Sequence, residues 1–169
     1  MAKVLFVISP QNFRDEEYFT PKKSLEEAGH IVETTSKTTG EIRGAGGGVA
    51  QVTTTIAQIN IDNFDGIVFV GGPGMIDFQN DPDFTQIAKK FFDAKKIVGA
   101  ICVAPAILAN AGILNGKKAT SWSGAKETLE ANGAVYTGQP VQIDGNIITA
   151  EGPTSALEFG ETLARALKS

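Results

Sequence analysis

Three short apolar runs, Val4–Ile8, Ile67–Val70 and Ile97–Ile101, constrain this chain more than any other feature. Each is rich in strand formers and lacks the polar alternation of a half-exposed strand, so each reads as a strand buried on both faces. Between them lie helical patterns. One runs to Gly29, a natural C-terminal stop, and another covers Asp83 to Lys95 with apolar residues at Phe84, Ile87, Ala88, Phe91 and Phe92. His30–Thr35 reads as a second strand, Ala106–Ala111 as a helix, Ala119–Trp122 as a short strand and Lys126–Asn132 as a short helix. Strands alternating with helices in this way predict an α/β fold, a mostly parallel sheet with helices on both faces.

The last third adds antiparallel character. Val141–Ile143 and Asn146–Thr149 flank Asp144-Gly145, a two-residue hairpin signal. Ser155 with Glu158 fits a capping box for a final helix whose apolar face would carry Leu157, Leu163, Ala164 and Leu167. Neither a repeat nor a linker interrupts the 169 residues, so residues 1–169 are expected to form one domain.

Composition removes several classes of function. Fifteen basic against nineteen acidic residues leave a net charge of −4, which disfavours nucleic acid and anionic membrane surfaces as partners. A single cysteine excludes an internal disulfide, and one cysteine with one histidine cannot supply a Cys/His zinc site. No metal and no cofactor is expected. The apolar start is too short for a signal peptide and the longest apolar run, Ile97–Ala109, is interrupted by Gly99 and Pro105, so a cytoplasmic protein is expected.

In sheets of this class, sites form beyond the carboxyl ends of the strands. Cys102 follows the strand Ile97–Ile101 and turns at once into Val103-Ala104-Pro105, with Ala100 and Ala104 as small neighbours. Such a strand–helix elbow lifts a side chain above the sheet, and a helix start there is expected to favour the thiolate. Gly71-Gly72-Pro73-Gly74 ends the preceding strand and can turn backbone N–H groups towards a bound oxygen. Asp15, Glu16 and Glu17 follow the first strand; a carboxyl beside the thiol would share its proton, but the residues alone do not choose among the three. The lone His30 falls at the far end of the first helix and reads as structural. Gly44–Gly48 lacks the last glycine of a dinucleotide fingerprint and reads as a flexible loop.

Together these residues resemble the ThiJ/PfpI superfamily across nearly the whole chain. The resemblance rests on Glu17-Tyr18-Phe19-Thr20-Pro21, Gly71-Gly72, Ala100 to Pro105, Thr120-Ser121-Trp122 and Glu151-Gly152-Pro153. It implies a flavodoxin-like three-layer sandwich with a nucleophile elbow, of the class I glutamine amidotransferase kind, and a homodimer. It also selects Glu17 as the partner of Cys102 and runs the first helix through Pro21, where proline alone places a helix start at Thr20-Pro21. Gly71, Gly72 and Val103 become oxyanion groups, and Trp122, Glu151, Gly152 and Pro153 the pocket.

The implied function is a cofactor-independent enzyme of the glyoxalase III or deglycase type, acting on small reactive aldehydes or their adducts. An oxidative-stress sensor or chaperone-like protein using Cys102 oxidation is the alternative. A PfpI-type peptidase is disfavoured, because protease-type members carry His after the nucleophile and this chain has Val103. Deglycase-type relatives carry His and Arg where Trp122 and Glu151 stand, a change in pocket polarity and charge.

Overall fold

The computed structural model describes residues 1–168. Its strands are β1 (Lys3–Val7), β2 (Ile31–Ser36), β3 (Gly40–Arg43), β4 (Val49–Val52), β5 (Thr54–Thr55), β6 (Gly66–Phe69), β7 (Ile97–Ile101), β8 (Lys118–Ala119), β9 (Val135–Tyr136), β10 (Val141–Asp144) and β11 (Ile147–Ala150). The helices are α1 (Asp15–Glu27), α2 (Pro82–Asp93), α3 (Pro105–Asn110), α4 (Lys126–Ala131) and α5 (Ala156–Lys168). Seven strands form the main sheet in the order β10-β11-β7-β6-β1-β2-β5. All its pairings are parallel except the β10–β11 hairpin. The expected α/β sandwich is therefore the fold.

Side-chain alternation along the strands decides which layer each residue serves. Leu5, Val7, Ile67, Phe69, Val98 and Ala100 pack with Phe84, Ile87 and Phe91 of α2 and Ile107 of α3. Val4, Phe6, Val68, Ile101 and Ile148 point the other way, onto Tyr18 and Leu25 of α1 and Phe159 and Leu163 of α5. Both faces are covered at the centre of the sheet, which is why β6, β7 and β1 beyond Lys3 need no polar positions.

Several local expectations are corrected. Helix α1 starts at Asp15 and continues through Pro21. The Arg14 carbonyl accepts from Glu17 and Tyr18 N–H at 3.1 and 3.2 Å, so the helix is already under way before the proline. Pro21 is buried against α5, where a Cβ on Gly160 would lie 2.8 Å from Pro21 Cα. That close packing outweighs the backbone bond which proline denies the Glu17 carbonyl. Strand β8 ends at Ala119, because Thr120 N–H turns to Thr149 Oγ1 and Trp122 N–H to the Cys102 carbonyl. The hairpin is shifted by one residue: Asp144 pairs with Ile147, and Gly145, at φ 60°, occupies the first central position where a II′ turn takes glycine. Before α5 lies a 3₁₀ turn, Pro153–Ser155, held by Ser155 N–H to the Gly152 carbonyl, in place of the capping box. Leu157 is 59% exposed; Ala156, Phe159, Gly160 and Leu163 form the buried face instead.

Candidate active site

The strand order reverses at β1: β2 and β5 lie on one side, β6 and β7 on the other. Ligands of doubly wound sheets bind at such a switch point, beyond the strand carboxyl ends. The segments leaving β1, β6 and β7 there carry Arg14 to Glu17, Gly71-Gly72 and Cys102.

Cys102 has φ 66°, a left-handed conformation that costs a non-glycine residue energy and is kept only where the surroundings impose it. They do so by two backbone bonds. Its N–H donates to the Ala150 carbonyl at 2.9 Å, and its carbonyl accepts from Trp122 N–H at 2.8 Å. The nucleophile elbow expected from Ala100–Pro105 is thus present, although α3 begins three residues later and has only six residues.

The three acidic residues separate cleanly. Asp15 turns to the glycine-rich loop and accepts from Gly46 and Gly48 N–H at 2.9 and 2.8 Å. That loop, expected to be flexible, is pinned again by Ala45 N–H on the Phe13 carbonyl. Glu16 is exposed, whereas Glu17 is fully buried beside Cys102. The Cys102 thiol and the Gly71 N–H are polar neighbours of the Glu17 carboxyl, yet neither of its oxygens makes a hydrogen bond of full geometry. Burial therefore dominates and pushes the Glu17 carboxyl up to about 7, against lowering by the Cys102 thiol and the Arg14 charge.

The thiol moves in a direction opposite to that expected for a helix start. Burial first, then the Glu17 charge, push Cys102 up to about 12, while Val103 N–H and Arg14 pull it down. A short helix cannot offset desolvation and a like charge. The pair consequently behaves as one unit: the thiolate becomes accessible when Glu17 holds the proton.

Gly72 and Val103 N–H groups donate to no backbone oxygen among the described residues, and Val103 N–H faces the Cys102 sulfur. A cavity of about 260 Å³ opens over Cys102, lined by Arg14, Gly72, Pro73, Ile76, Val103, Trp122, Glu151 and Pro153. Of the residues singled out in the sequence, Gly71 lies below it against Glu17, and Gly152 forms the turn behind Pro153. Arg14 and Ile76 were not anticipated; Arg14 stands in the segment that leaves β1, three residues before Glu17. His30 is remote: its Nδ1 accepts from Ala2 N–H at 3.0 Å, at the amino ends of the strands.

A doubly wound sheet with a strained cysteine at its switch point and a buried carboxyl beside it defines a thiol elbow protein. Comparison with known proteins narrows the class. A model of the DJ-1/PfpI family matches residues 2–166, and the chain belongs to that family. It is 42% identical to an uncharacterised protein of Methanocaldococcus jannaschii, over 99% of this chain and 83% of the relative. It is 32% identical to the deglycase PfpI of Pyrococcus furiosus, over 98% of this chain and 99% of the relative. The crystal structure of a ThiJ/PfpI domain protein from Brachyspira murdochii superposes with a TM-score of 0.96 at 36% identity, covering 98% of this chain and 96% of that one. No helix among the described residues is long and apolar enough to cross a membrane.

Proposed function

We propose that this chain is a cysteine-dependent enzyme acting on small reactive aldehydes or their adducts, of the glyoxalase III or deglycase type, working as a homodimer in the cytoplasm. Relatives named deglycases support an enzyme of this general kind. The observation that carries the reading is the Cys102–Glu17 pair, a strained elbow thiol set beside a fully buried carboxyl with which it can exchange a proton.

In the proposed reaction on a 2-oxoaldehyde, Glu17 takes the thiol proton and Cys102 sulfur adds to the aldehyde carbon. The carbonyl electron pair moves to oxygen, which Gly72 and Val103 N–H groups stabilise until it takes the proton from Glu17, giving a hemithioacetal. The Glu17 carboxylate then removes the proton from the former aldehyde carbon and returns it at the neighbouring carbon, while the hydroxyl proton passes from the first oxygen to the second. This internal transfer oxidises one carbon and reduces the next, leaving a thioester that water cleaves to a 2-hydroxy acid and free thiol. Trp122 and Pro153 supply apolar walls, and no cofactor takes part in the scheme.

Both readings draw on the same half-buried thiol, and the relatives named deglycases favour the enzyme over the oxidation sensor. The peptidase reading has no imidazole at the elbow, since Val103 follows the cysteine and His30 is buried elsewhere. The test is methylglyoxal consumption by wild type, Cys102→Ala and Glu17→Gln. Wild type alone should turn it over; equal background rates for all three would sink the proposal.

A further inference from the structure

Arg14 has no role in the scheme above, yet it lines the cavity with Cys102, and its charge acts on both Cys102 and Glu17. Its Nε is buried without a hydrogen-bond partner. Every ion pair among the described residues is made by a lysine, so Arg14 has none, not even with Glu151 of the same cavity. A buried charged donor lacking an acceptor is costly, and a ligand that supplies the acceptor recovers that cost.

The backbone of Arg14 is held in place relative to the thiol. Its N–H donates to the Gly71 carbonyl at 3.1 Å, and its carbonyl is taken by the first turn of α1. Only a glycine fits at position 72, because a Cβ there would run into the Arg14 nitrogen. The Arg14 main chain, from which the donor fork extends, is therefore anchored directly beside Gly71 and Gly72.

We propose that Arg14 seats the carboxylate of a compact anionic carbonyl compound, whose carbonyl carbon is thereby presented to Cys102. This deepens the proposed function and rests on the reading of Cys102 as nucleophile. A guanidinium matches a carboxylate with two parallel N–H donors, while Pro73, Ile76 and Trp122 offer the rest of the ligand only apolar contact. The cavity, about 260 Å³, suits a ligand of a few heavy atoms. Glu151 repels an anion, which confines the carboxylate to the Arg14 side. In the step itself sulfur bonds to the carbonyl carbon, the π pair moves to oxygen and the thiol proton reaches that oxygen through Glu17. The carboxylate is unchanged and no oxidant or reductant is needed.

The test compares two alkylating reagents of nearly equal size, anionic iodoacetate and neutral iodoacetamide, at the single cysteine of the intact protein. Both draw on the same thiolate, so any change in Cys102 acidity cancels in the ratio of their rates. That ratio should fall about tenfold in Arg14→Gln, the scale of one charge-assisted hydrogen bond, and take an intermediate value in Arg14→Lys. Glu151→Gln should raise it. Circular dichroism identifies any variant that fails to fold, and Arg14→Lys and Glu151→Gln then carry the test. Alkylation by both reagents at a ratio indifferent to these substitutions overturns the carboxylate seat alone. Failure of iodoacetate alone to modify Cys102 in the folded wild type also overturns the seat alone, and failure of both reagents overturns the nucleophile reading and the seat with it.

Discussion

Gly71 stands directly against Glu17: a Cβ built on the glycine would lie 2.5 Å from Glu17 Oε1 and 2.8 Å from Cys102 Cβ. The Ile101 carbonyl, at 2.6 Å, closes the third side, so the space cannot be enlarged by moving a flexible side chain. Gly71→Ala should therefore displace the carboxyl from the thiol. Overpacking of this kind costs roughly 1–3 kcal/mol, and a misplaced catalytic group roughly a hundredfold in rate. Thermal melting and methylglyoxal turnover measured together check both; unimpaired turnover would mean that Glu17 need not sit where it does.

The Glu17 carboxyl also makes stability depend on pH. Its pKa is raised from 4.5 to about 7 on folding, so the folded state binds the extra proton between those values. Stability should then fall as pH rises from about 4.5 to about 7, by about 3 kcal/mol in all. Glu17→Gln removes this loss. Urea titrations at pH 4.5 and pH 8 should show the variant gaining on wild type at the higher pH, with little difference at the lower.

Reactivity and turnover should separate in the same variant. With the Glu17 charge gone, the second and third causes of the raised Cys102 pKa disappear while burial remains. Iodoacetamide should modify Cys102 several times faster in Glu17→Gln at pH 8, even though methylglyoxal turnover drops to background. An unchanged rate would place the thiol outside the influence of Glu17.

Backbone strain at the elbow predicts an ordering of two inactive variants. At φ 66°, alanine keeps the left-handed penalty and glycine does not. Cys102→Gly should be more stable than Cys102→Ala by about 1 kcal/mol, read from denaturant midpoints. An equal pair would indicate that the two backbone bonds at Ala150 and Trp122 relax when the thiol is removed.

Much of this architecture is legible in order along the chain. The apolar runs at Val4–Ile8, Ile67–Val70 and Ile97–Ile101 became central strands because nothing polar interrupts them, and the small residues around Cys102 became an elbow. Misreadings cluster where a distant neighbour outweighs a local signal. Pro21 sits inside α1 because α5 packs against it at Gly160, and β8 stops early because Thr120 and Trp122 bond to Thr149 and Cys102.

By itself, then, the sequence determined the layered α/β sheet, the hairpin and the position of the one thiol, since these follow from local periodicity and turn chemistry. Local chemistry left three acids beside that thiol; the family resemblance pointed to Glu17, and the tertiary structure gave the physical reason, sending Asp15 to the glycine loop and burying Glu17. It also decided the sense of the Cys102 shift and brought Arg14 into the cavity. Desolvation and charge proximity depend on groups far apart in the chain, and no spacing along it encodes them.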